Sequence, residues 1–121
     1  MAGLHILLDA RASLGLSDRQ AVEDWLRYAA SLAGMTIIGM QSHLLLSGLD
    51  NGPGVTAIAV IAESHMAVHT WPLEGIITMD MFSCRRFDAL AIVESFTRTF
   101  GVTLILRYNE IPRWGPSVEG P

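Results

Sequence analysis

Cysteine is nearly absent from this chain: Cys84 is alone among 121 residues. One thiol excludes an intrachain disulfide and a zinc knuckle, and it reads as the usage of a cytoplasmic chain. Charge is also sparse, with 8 Lys+Arg against 12 Asp+Glu and a formal net charge of −4. No basic stripe interrupts that balance, so nucleic-acid binding has no electrostatic support. No apolar run reaches the roughly 18 residues of a membrane-spanning helix. The start lacks a basic n-region, apolar h-region and cleavage pattern, so neither a membrane anchor nor a secretory signal is expected. What the sequence has in plenty is apolar side chains, 50% of the total. A chain of this length is expected to fold as one domain, 1–121. Surplus apolar surface on so small a domain predicts a homodimer or higher homo-oligomer.

The periodicities place two helices among six strands. Leu4–Leu8 is a short apolar strand candidate. Ser17-Asp18-Arg19-Gln20 fits a capping box, which predicts a helix starting at Ser17. Its buried stripe would be Val22, Trp25, Leu26, Ala29 and Leu32, with Gly34 as the stop. Strands are expected over 35–46, 55–62, 65–70 and 76–82, separated by the turn-rich segments 47–54 and 71–75. A second helix is expected over 87–100, with Leu90, Ile92, Val93 and Phe96 mostly on one side and Gly101 ending it. A last strand covers 102–107, and the Pro- and Gly-rich tail beyond it reads as irregular. The order β-α-β-β-β-β-α-β predicts an α+β, two-layer sandwich: a mainly antiparallel sheet with two helices on one face.

Reactive groups gather in "IAESHMAVHTW", residues 61–71. His65 and His69 would chelate one metal if helical, but on a strand they stand about 13 Å apart, at roughly 3.3 Å per residue. Two histidines satisfied by neighbours explain them equally well. Ser64 and His69 lack the strand–turn–helix elbow of a hydrolase nucleophile. If the strand after the Trp71–Gly75 corner pairs back antiparallel, Cys84 returns beside Glu63 and Ser64. Ser64, His69 and Cys84 would then share one neighbourhood, and a hydroxyl, an imidazole and a thiol together suit proton transfer.

"AESHMAVHTWP" followed by "DMFSC" resembles the prokaryotic S-adenosylmethionine decarboxylase family, whose pattern is close to E-S-H-x-x-x-H-T-W-P-E and then D-x-F-T-C-G. Glu63, Ser64, His65, His69, Thr70, Trp71, Pro72, Asp80, Phe82 and Cys84 match in register. The resemblance implies a proenzyme that cleaves itself between Glu63 and Ser64, giving a β chain of 1–63 and an α chain of 64–121. It implies that Ser64 becomes a pyruvoyl group, the only cofactor, with no metal. That ketone would form a Schiff base with an amino-acid-type substrate and take up the electrons of decarboxylation. By the same resemblance His69 assists processing, Cys84 protonates the product, and Thr56 supports processing where serine is usual.

The pattern breaks where the family holds its nucleoside. Leu73 stands in place of the glutamate that grips the ribose, and Glu74 is one residue out of phase. Leu45 stands where an aromatic stacks on adenine, and Ser83-Cys84-Arg85 replaces T-C-G. These departures leave room for L-ornithine or L-arginine as substrate, with Asp50 or Glu74 facing a distal cation. Trp71, Leu45, Leu73, Glu74 and Asp50 are thus the substrate-binding candidates. For Asp50 a turn residue, and for Glu74 a solvated surface charge, are the plainer readings. A non-catalytic regulatory paralogue is the reading from another class, set against by the retained Ser64, His69 and Cys84.

Overall fold

The computed structural model describes residues 3–46 and 53–114. It contains β1 (Gly3–Ala12), α1 (Arg19–Leu32), β2 (Thr36–Leu45), β3 (Gly54–Ala62), β4 (Ser64–Trp71), β5 (Ile76–Ser83), α2 (Ala89–Phe100) and β6 (Val102–Arg113). The strands form one sheet in the order β2-β3-β4-β5-β1-β6. Every neighbouring pair is antiparallel. The α+β two-layer architecture expected from the sequence is the one observed.

Alternation decides which face is covered. Leu4, Ile6, Leu8 and Ala10 of β1, Ala57, Ala59 and Ile61 of β3, Met66 and Val68 of β4, and Ile77, Met79 and Met81 of β5 are all buried. Period-2 spacing puts each set on one side of its strand, where it packs with Val22, Trp25 and Leu26 of α1 and Ile92, Phe96 and Phe100 of α2. Trp25 meets Phe96 edge-on at 5.0 Å. Its indole N–H donates to the Ser95 hydroxyl at 3.1 Å, so the one polar atom of this aromatic contact is satisfied. Among the described residues, no helix covers the opposite face of the sheet.

Several local expectations are corrected. The α1 cap is Asp18, not Ser17: the Asp18 carboxylate accepts from the Ala21 N–H at 3.1 Å, while a turn from Gly15 carries Ser17 outside the helix. Leu32 and Leu90 are exposed rather than part of the buried stripes, since Ala30 and Ala89 occupy the inward positions. The C-terminal segment read as irregular continues as strand to Arg113. Pro112 is tolerated there because β6 is an edge strand, with only β1 beside it. Gly101 ends α2 in the left-handed conformation, φ +58°, and a Cβ at that position would lie 2.8 Å from the Ser13 hydroxyl.

Candidate active site

The reactive side chains fall into two separate groups. The first lies where β3 turns into β4. Ile61 pairs with Ser64, so Ala62 and Glu63 make the whole turn. Ser64 itself has φ +138°, a conformation unfavourable for a residue with a side chain. On its other side Ser64 pairs with Ser83, and the next residue, Cys84, donates its thiol to Glu63 Oε1 at 3.7 Å. Ser83 is buried and its hydroxyl accepts from the Arg85 N–H at 3.0 Å, which fixes the chain around the thiol. Glu63, Ser64 and Cys84 therefore do come together, as the return of β5 requires.

His69 does not join them. It lies five residues along an unbroken strand, about 16 Å away at roughly 3.3 Å per residue, and odd spacing turns it to the opposite face from an ideally placed Ser64. The expected single neighbourhood of Ser64, His69 and Cys84 is thus corrected. The second group forms around His69 instead. Its Nδ1 is 3.3 Å from Thr56 Oγ1, the residue it faces on β3, and its ring lies 6.2 Å from Trp71. Thr70, between them, points into the core. Its hydroxyl accepts from Val55 N–H at 2.8 Å and donates to the Leu16 carbonyl at 2.6 Å, a structural task.

The substrate-binding candidates among the described residues fall at the His69 end of the sheet, where Gly54 lies against Thr70 and Pro72. Leu45 ends β2 opposite Gly54. Leu73 and Glu74 sit in the β4–β5 turn, Leu73 being 73% exposed, and the Glu74 carbonyl accepts from Arg11 at 3.3 Å. Asp50 lies outside the described residues.

A third cluster escaped the sequence reading. His65 does not act with His69; it turns across β5 to Asp80, 3.5 Å away, and His5 from β1 reaches the same carboxylate oxygen at 3.1 Å. Both imidazoles flank Phe82, with ring centroids 5.9 and 5.5 Å from it. The Arg113 guanidinium stacks on that phenyl ring at 4.6 Å. The signal was present in β1, where His5 and Asp9 fall on the side opposite Leu4, Ile6 and Leu8, but pairing β1 with β5 takes tertiary information.

With this geometry in hand, comparison with known proteins is decisive. The family model described as S-adenosylmethionine decarboxylase matches residues 4–113. This chain belongs to that family. An S-adenosylmethionine decarboxylase proenzyme of Methanococcus maripaludis strain S2 is 33% identical over 102 residues, covering 79% of this chain and 80% of the relative. A proenzyme of the same name from Methanococcus vannielii is 38% identical over 84 residues, covering 68% and 65%. Among solved structures, the adenosylmethionine decarboxylase of Aquifex aeolicus superposes with a TM-score of 0.68 at 23% identity, covering 92% of this chain and 88% of that one. That likeness supports the α+β sandwich as a family fold.

Proposed function

We propose that this chain is a self-processing, pyruvoyl-dependent S-adenosylmethionine decarboxylase of polyamine biosynthesis that works in the cytoplasm. The observation that carries the reading is the Glu63–Ser64 turn, with a strained serine and a thiol held beside it. Relief of an unfavourable φ at Ser64 favours attack of its hydroxyl on the preceding carbonyl, the first step in splitting the chain into 1–63 and 64–121. The residues present fit a pyruvoyl group at position 64: the position is a chain terminus once the turn is cut, it is half-buried, and Cys84 is adjacent. The chain also contains no lysine; its eight Lys+Arg are all arginine, so pyridoxal phosphate has no lysine to anchor it. The pyruvoyl ketone supplies the electron sink that an amino acid lacks. The Cys84 thiol lies beside that position and donates a hydrogen bond to Glu63 Oε1 in the uncut chain.

His69 and Thr56 belong to the same site through a second copy. They sit at the far end of β4 from Ser64, so within a single chain the His69 imidazole does not reach it. In a two-fold pair with open faces apposed, the Ser64 end of one copy lies over the His69 end of the other. The face is suited to such burial: Ile58 and Val60 of β3, next to the edge strand β2, are 45% and 47% exposed on it. Trp71, Leu45 and Leu73, which find no ligand partner in one chain, would line the space between copies.

S-adenosylmethionine is the substrate favoured by the relatives' names, and nothing in those names supports ornithine or arginine. The experiment is an intact-mass measurement under denaturing conditions followed by carbon-dioxide release with all three substrates. Two fragments, with 64–121 beginning in a pyruvoyl group, and turnover of S-adenosylmethionine are expected. A single unbroken chain of 13.2 kDa would overturn the reading in favour of a non-catalytic paralogue. Turnover of ornithine or arginine alone would overturn the substrate.

A further inference from the structure

We propose that His5, His65 and Asp80 form a site for one borderline divalent cation, of the class of Zn2+ or Co2+. The proposal concerns a different set of side chains from Ser64, His69 and Cys84, and it does not rest on the decarboxylase reading. Asp80 Oδ2 stands 3.1 Å from His5 Nε2 and 3.5 Å from His65 Nε2. All three ligand atoms lie within 4.8 Å of one another. Ligands held at about 2.0–2.2 Å from one zinc ion stand roughly 3–3.5 Å apart. Two of the three separations already have that value, and rotation of the imidazoles closes the third. Two neutral imidazoles and a carboxylate are the donor set that such ions take when a coordination position is left open to water.

The platform is rigid. The ligands come from β1, β4 and β5, which are hydrogen-bonded neighbours, so their spacing is set by sheet register. Phe82 packs against both imidazoles. Entry is open as well: the side chains of His5, Asp80 and His65 are 18%, 29% and 44% exposed. Among the described residues, no other three His, Cys, Asp or Glu side chains converge this closely. One neighbour opposes the ion. Arg113 Nη1 is 3.5 Å from His5 Nδ1, and an imidazole bound through Nε2 carries its proton on Nδ1, facing that guanidinium. Removing Arg113 should therefore tighten binding, while removing a ligand weakens it.

The test uses the full chain, stripped of metal by a chelator. Co2+ is titrated while its visible absorption is followed, and Zn2+ is titrated by calorimetry. One ion per chain is expected, with a rise in melting temperature on saturation. His5→Ala, His65→Ala and Asp80→Asn should each weaken binding by about tenfold or more; Arg113→Ala should strengthen it. Asp80→Asn is nearly isosteric, and circular dichroism of each variant separates lost binding from lost fold. Ser64→Ala, which blocks processing, should bind as the parent does. No saturation below about 1 mM, binding unchanged in His65→Ala, or binding abolished by Cys84→Ser with the three ligands intact would each overturn the site.

Discussion

Cys84 follows β5 beside the Ser64 end of β4, while His69 lies toward the other end of β4, and their removal should fail in different ways. Cys84→Ala leaves the Glu63–Ser64 turn in place, so the chain should still split. Decarboxylation per mole of split chain should fall by about 10²–10⁴, the usual weight of a positioned proton donor. Carbon-dioxide release normalised to fragment mass measures this. His69→Ala should instead accumulate the uncut chain on a denaturing gel. The sequence made Glu63, Ser64 and Cys84 legible as a group because a hairpin's pairing is local: once the corner at 71–75 is placed, Cys84 must return near Ser64. His69 was misplaced because sharing a strand was taken for sharing a site. His5 went unread for a different reason. Its partner Asp80 lies 75 positions away, joined only by the β1–β5 pairing, and no local spacing encodes that.

At the scale of elements, the helix starts test how far a short motif can be trusted. The sequence matched a capping box at Ser17, yet the carboxylate that meets the helix is that of Asp18. Asp18→Ala should lower stability by about 1 kcal/mol, while Ser17→Ala stays within about 0.5 kcal/mol. Urea unfolding, with its midpoint shifted and its slope unchanged, distinguishes them. The motif failed because a carboxylate one residue on offered the same bond after the Gly15 turn. A second feature of α1 bears on pH. The Ser42 hydroxyl donates to Glu23, and Arg19 and Arg27 stand beside it, holding its carboxyl below its ordinary value of 4.5 against the opposing effect of burial. A depressed folded-state value means the stabilisation is whole above 4.5 and is lost as pH falls through the folded-state value. Glu23→Gln should therefore flatten the acid limb of a melting-temperature-against-pH curve below pH 4.5, and leave its slope near neutrality unchanged. The α1–β2 tie behind it joins residues on successive elements, but Ser42 looked like an ordinary strand residue from sequence.

For the whole molecule, apolar excess and the separation of His69 from Ser64 both fit the proposed pairing of two copies. Half of the residues are apolar, yet helices cover a single face of the sheet, leaving Ile58, Val60 and Ile111 facing out. Composition made surplus apolar surface legible; where it lies depends on which strand faces the helices cover, a matter of the assembled sheet. If that face pairs two copies, each Ser64 is served by the other copy's His69, and activity becomes complementable. Ser64→Ala chains cannot split but keep His69; His69→Ala chains keep Ser64 but lack its imidazole. Each alone should remain uncut. Denatured together and refolded, they form mixed pairs in which one of the two sites has both residues. The His69→Ala chain should then split while the Ser64→Ala chain stays whole, and a mass tag on one chain shows which has been cut. Sedimentation of the parent as a dimer at micromolar concentration should accompany this. A monomer that splits unaided, or a mixture in which neither chain splits although mixed pairs are detected by mass, would place the imidazole for Ser64 within its own chain or outside His69 altogether.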